Sequence, residues 1–307
     1  MSPRESRPTL WRMTSGVAVA ALVPIAFAGA QAPPDTDIYV AELEPANGTW
    51  NLGAVTNITH REGYDNQPQF TPDGRALLYT SIREDGQADT YRYDLDTGAT
   101  TRLTATPESE YSPTPMPGGF EFSAVRVEAD STQRLWAFQL DGSQPRLLLP
   151  DVAPVGYHAW ADDTTVALFL LGDPPTLHIA HLRADSVEKV ADGVGRSVHR
   201  IPGRHAVSFV RKRSKDEWWI ESFSLDAGRV APLTRTRPGN EDYTWTPDGA
   251  ILMGDGARLF VWRRGSTWRR LADLESAGLG RVTRLAVSPD GRRLAIVAAT
   301  RRAPEDR

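Results

Sequence analysis

Phe70-Thr71-Pro72-Asp73-Gly74 recurs along the chain, and Trp245-Thr246-Pro247-Asp248-Gly249 and Val287-Ser288-Pro289-Asp290-Gly291 repeat it almost letter for letter. Pro115-Met116-Pro117-Gly118-Gly119, Trp160-Ala161-Asp162-Asp163 and Ile201-Pro202-Gly203 are worn copies. With positions 72, 117, 162, 202, 247 and 289 as the shared mark, the spacings are 45, 45, 40, 45 and 42 residues. A repeat of about 40–45 residues holding several short strands is the mark of a β-propeller blade.

Each repeat follows one grammar. An inner strand runs into the Pro-Asp-Gly turn, and an apolar strand such as Ala76-Leu77-Leu78-Tyr79 follows. A polar loop, a third strand such as Thr90–Leu95, and a Gly turn (Asp96-Thr97-Gly98, Asp141-Gly142, Asp226-Ala227-Gly228) lead to a fourth strand ending near Leu103-Thr104 or Leu233-Thr234. Pro is preset for the first corner of such a turn, and Gly accepts the positive φ that a tight hairpin needs. Two segments lack partners within their own repeat. Asp37–Leu43 and Trp50–Ile58 read as strands with nothing inside them, and Arg284–Ala299 reads as two strands with nothing outside them. An open sheet edge is a liability, so the two ends are expected to share one blade. The predicted fold is therefore all-β: a six-bladed β-propeller closed by N-terminal outer strands and C-terminal inner strands.

The run Gln67-Pro68-Gln69-Phe70-Thr71-Pro72-Asp73-Gly74, with Tyr79-Thr80-Ser81 and Asp89-Thr90-Tyr91-Arg92-Tyr93-Asp94-Leu95-Asp96, resembles the WD40-like repeat of the TolB propeller family. The resemblance covers about residues 37–299 and is to the propeller part; TolB itself carries an α/β domain ahead of its propeller. It implies a binding scaffold of the bacterial cell envelope.

Arg4, Arg7 and Arg12 precede an apolar run from Gly16 to Ala28, and Ala28-Gly29-Ala30 offers the small–x–small pattern of a signal-peptidase site. Residues 1–30 are thus expected to be a Sec-type signal peptide cut after Ala30, with 31–36 a leader, 37–299 the propeller and 300–307 a disordered tail. The apolar run falls short of the roughly 20 residues of a spanning helix. No transmembrane segment is expected after cleavage, and a periplasmic or secreted location follows. The 307 residues carry a formal net charge of −4 and no cysteine. That balance argues against nucleic acid as a partner, and the missing thiols exclude disulfides and thiolate chemistry. The expected molecule is a monomer without a cofactor.

Aligned on the turn, the residues opening each inner strand are Asn66 and Gln67, Tyr111 and Ser112, Gly156 and Tyr157, Arg196 and Ser197, Glu241 and Asp242, Thr283 and Arg284. Such positions face the central channel. They fit either an ion-pair network lining a wet channel or a recognition site at its mouth. Arg211, Lys212, Arg213 and Lys215 form a cationic run on the loop expected to reach the same face, either a solvated loop or a patch for an acidic partner. His178 and His181 are three apart on a strand and so face opposite ways, whereas His158 and His199 lie near inner strands of adjacent blades and could approach one another as weak metal candidates. There is no Gly-x-Ser-x-Gly elbow for a serine hydrolase. The Asp of the repeated turn reads as a hairpin residue making local hydrogen bonds. Two functions remain: a non-enzymatic scaffold for a protein or peptide partner, or a metal-dependent propeller enzyme, lactonase- or oligosaccharide-lyase-like, acting at the channel mouth.

Overall fold

A computed structural model describes residues 33–46 and 49–300. The signal peptide and its cleavage point, the Asn47-Gly48 turn and residues 301–307 of the tail lie outside the described residues. Twenty-four strands form six four-stranded antiparallel sheets. The innermost strands are Tyr64–Phe70, Ser109–Pro115, Val155–Trp160, Val194–Arg200, Tyr243–Trp245 and Leu279–Val287, heading blades 1 to 6 in that order. Each touches the next, and the sixth touches the first, so the ring closes. The lone helical turn among the described residues is a 3-10 segment, Glu275–Ala277, ahead of blade 6.

Blade 6 joins the two ends as the sequence requires. Its strand order from outside to inside is Thr49–Asn57, Asp37–Ala46, Arg293–Thr300, Leu279–Val287. Ile38 pairs with Val297 and Tyr39 with Ile296 in antiparallel register. Pairing of the outer hairpin runs further than expected, because Pro45 and Ala46 oppose Trp50 and Thr49 rather than turning.

The apolar core is divided by interface. Six clusters of buried side chains lie one between each neighbouring pair of blades: Leu78 with Phe122 and Phe138 between blades 1 and 2, Val207 and Phe209 with Leu177 and Ile179 between blades 3 and 4, Tyr79 and Leu77 with Ile38 and Val297 across the closure. The second strand of each blade is buried on both faces, which is why it reads as an unbroken apolar run rather than an alternating one. Burial of each such side chain stabilises by about 1.5–3 kcal/mol.

The repeated turns are alike in atomic detail. Thr71 Oγ1 donates to Asp73 Oδ1 at 2.6 Å and accepts the Ala76 amide at 3.0 Å, while the Gly74 amide bonds the Thr71 carbonyl at φ 69°. Thr246 with Asp248, and Ser288 with Asp290, repeat the pattern at 2.5 Å. The serine or threonine hydroxyl and the adjacent amide hold the Asp73 and Asp290 carboxyls below the usual carboxylate range. These aspartates are hairpin residues. Side by side, the turns ring the face opposite the channel mouth, with Pro72 against Gly119, Pro247 against Gly291 and Pro289 against Gly74.

Candidate functional site at the channel mouth

The inner strands do not reach the mouth as regular ladders. Pairing slips between Asn66 and Gln69, Tyr111 and Thr114, Val155 and Tyr157, Val194 and Val198, and again just before Arg284. A bulge of this kind re-aims side chains that a flat ladder would hold on its two faces. Gln67 and Ser112 adopt φ of 58° and 55°, a region costly for non-glycine residues and held only where surroundings enforce it. Here the Ser112 amide donates to Gln67 Oε1 at 2.8 Å and to Thr80 Oγ1 at 3.1 Å, fastening blade 2 to blade 1.

Side chains from all six blades then line one central cavity, among them Gln67, Ser112, Tyr157, Arg196, Asp242 and Arg284. Arg196 grips Asp242 with two nitrogens, Nε to Oδ1 at 3.2 Å and Nη2 to Oδ2 at 2.6 Å. Arg284 approaches the same carboxylate at 3.3 Å and stands 4.6 Å from the Tyr157 ring centroid. Glu241 Oε2 accepts from the Arg196 amide and from Lys212 Nζ, both at 3.0 Å. Lys212, Glu241, Arg196, Asp242 and Arg284 thus form one chain of alternating charge across three blades, with one more cation than anion. Gly195 permits it, since a Cβ there would stand 2.4 Å from Glu241 Oε2.

Other expected residues lie around this network. Asn66 is buried, its carbonyl oxygen accepting the Gln67 amide at 2.8 Å, and so braces the bulge instead of facing the cavity. Tyr111 is half-buried near Tyr157 and Tyr64, and burial pushes the Tyr64 and Tyr111 hydroxyls up. Tyr64 was missed in the sequence; it begins the strand two residues before the aligned Asn66, so only the observed register brings it to the rim. Arg211 and Lys212 belong to the strand Ala206–Lys212, because cross-strand pairing with Trp219 and Trp218 extends it past the expected loop. Lys212 lies 4.4 Å from the Trp218 ring and Arg213 lies 5.0 Å from Trp219, with Arg213 also paired to buried Glu221. Lys215 is exposed.

His158 and His199 both line the cavity. His158 Nε2 meets Ser123 Oγ at 2.6 Å, while His158 Nδ1, His199 Nε2 and Ser112 Oγ have no hydrogen-bond partner among the described residues. Burial pushes the imidazoles down to about 3 and about 4, so both stay neutral. The cavity measures about 50 Å³. That suits a few ordered waters bonded to these three atoms, and excludes a peptide or sugar from the interior. A catalytic metal needs about three protein ligands. Two imidazoles fall short, and among the described residues no group of three or more His, Cys, Asp or Glu side chains is placed to hold an ion.

No family model matches the chain. An uncharacterized protein of Agrobacterium fabrum is 31% identical over 94 residues, which are 31% of this chain and 29% of that relative, so the match spans under a third of its length. Among solved structures, a protein assigned as TolB from Agrobacterium tumefaciens superposes with a TM-score of 0.68 at 16% identity, over 86% of this chain and 98% of that one. TolB from Acinetobacter baumannii gives 0.56 at 16% identity over 88% of this chain and 66% of its own. An oligogalacturonate lyase solved in complex with manganese gives 0.54 at 17% identity over 81% and 82%. With blades, closure and turns as described, the chain carries the six-bladed propeller fold seen in TolB structures.

Proposed function

We propose that the chain is an exported, monomeric binding scaffold of the cell envelope that holds a protein or peptide segment across the channel mouth. The observation that carries this is convergence: six separate inner strands bring polar and aromatic groups to one opening, on rigid sheets. The cavity beneath is too small to admit a ligand, so recognition falls to the rim, where Tyr111, Tyr157, Arg196 and Arg284 offer ring faces and guanidinium donors. Such groups carry a large share of binding energy at protein interfaces. Of the basic run Arg211, Lys212, Arg213 and Lys215, the middle two are paired with Glu241 and Glu221, while Arg211 and Lys215 extend the same face and favour an acidic segment. Export is supported by the sequence of residues 1–30, and among the described residues no helix is long and apolar enough to cross a membrane.

The test is affinity capture from an envelope fraction with the wild-type protein and with Tyr157→Ala and Arg196→Ala. A partner captured by the wild type and lost with both variants is expected. If the partner is retained while only the melting temperature falls, the network is structural and the proposal fails.

A further inference from the structure

We propose a second site on the opposite, turn-bearing face: the cleft between blades 4 and 5, taking a small amphiphilic anion, an apolar or aromatic body that carries a carboxylate, sulfonate or phosphate. The cleft measures about 330 Å³, at the lower end of the 300–1,000 Å³ typical of ligand pockets. Trp245, Trp262, Leu233 and Ile201 form its floor, and Arg204 and Arg264 stand on its exposed rim. The floor is continuous with the core between these blades, so it is preformed.

The repeat shows which of these residues are unusual. In the register of the third strand, Trp262 stands where blades 1 to 4 have Tyr93, Phe138, Ala180 and Phe223. Two residues further on, those blades carry Leu95, Leu140, Leu182 and Leu225, but blade 5 carries Arg264. The Arg204 amide bonds the Ile201 carbonyl as Gly74 bonds Thr71, Gly249 bonds Thr246 and Gly291 bonds Ser288. Arg204 therefore occupies a glycine position. Two departures from the repeat, both added cations, meet beside two indoles in one cleft.

Charge in the cleft is unbalanced. The carboxylate that lines it, Asp248, is already held by Arg263 at 2.6 Å. Neither Arg204 nor Arg264 has a carboxylate within ion-pairing distance among the described residues. The groove between blades 5 and 6 differs: it presents Asp248, Asp290 and Arg263 and has no surplus cation. An anion seated between Arg204 and Arg264, with its body on the two indoles, satisfies what the blade 4–5 cleft leaves open.

The probe is 1-anilinonaphthalene-8-sulfonate, titrated by fluorescence into the intact protein, with uncharged N-phenyl-1-naphthylamine as its comparison. One saturable site is expected, weakened by about tenfold or more in the Arg204→Gln/Arg264→Gln double variant, with the uncharged probe weaker on the wild type and indifferent to the substitutions. Trp262→Leu, which removes one indole from the floor, should weaken both probes. Non-saturable adsorption, equal affinity for both probes on the wild type, or an unchanged double variant overturns the proposal. The wild-type comparison decides even if a variant fails to fold.

Discussion

His205 stands where blade 1 has Arg75, at the foot of an apolar strand, and holds two carboxylates at once. Its Nδ1 lies 2.6 Å from Asp226 and its Nε2 lies 3.0 Å from Asp162 of the preceding blade. Both ring nitrogens can donate only in the imidazolium form, so the hydrogen bond to Asp226 and then that to Asp162 raise the His205 pKa. Burial works against Asp162, yet the Thr164 amide and His205 outweigh it and hold that carboxyl at about 2. A raised folded-state pKa contributes stability below the unfolded value of about 6.5, and the contribution disappears as pH rises through the folded pKa. His205→Gln is therefore expected to lower the urea midpoint at pH 5.5 and to approach the wild type at pH 8.5. A gap that widens with pH would contradict this account of the clasp. The side chain is about half exposed, so the effect is small and should shrink with added salt.

Between elements, the blades are stitched by a serine that recurs. Ser208, buried in the second strand of blade 4, accepts the Tyr243 hydroxyl at 2.7 Å and the Trp245 indole N–H at 2.8 Å from blade 5. Ser123 plays the same part between blades 2 and 3, taking the Trp160 N–H at 2.9 Å beside His158. Removing one acceptor leaves two donors buried without partners, at about 1–3 kcal/mol each. Ser208→Ala is expected to cost about 2–4 kcal/mol in urea unfolding; a loss under about 0.5 kcal/mol would show that water replaces the hydroxyl. At this scale the turns were legible in sequence and the stitches were not. Thr71, Asp73 and Gly74 bond within six residues, so their chemistry is written locally. Ser208 and Trp245 are 37 apart, and nothing marks them until two blades are placed side by side. The same holds at the mouth, where alignment of the repeats sets Glu241 and Asp242 between blades that offer Arg196 and Arg284, but Tyr64 and the bulges at Gln67 and Ser112 depend on register.

For the whole molecule, closure decides whether six sheets make one fold. The count of unpartnered strands at the two ends was enough to foresee it, even though the turns of blades 2 to 4 are worn and were recognised mainly by spacing. Removing residues 33–57 would expose the strand Arg293–Thr300, whose Leu294, Ala295, Ile296 and Val297 are fully buried. That segment is apolar and rich in β-formers, the composition of an aggregation-prone edge. The truncated protein is expected to lose its single cooperative unfolding transition and to sediment as aggregate. A soluble, sharply melting product would mean that five blades suffice.

The seam in blade 6 also imposes an order on synthesis. When blades 1 to 5 have emerged from the ribosome, Asp37–Ala46 and Thr49–Asn57 still wait for Leu279–Val287 and Arg293–Thr300 to arrive. A stop codon placed within Leu279–Thr300 should therefore be as damaging as one in blade 3 or 4.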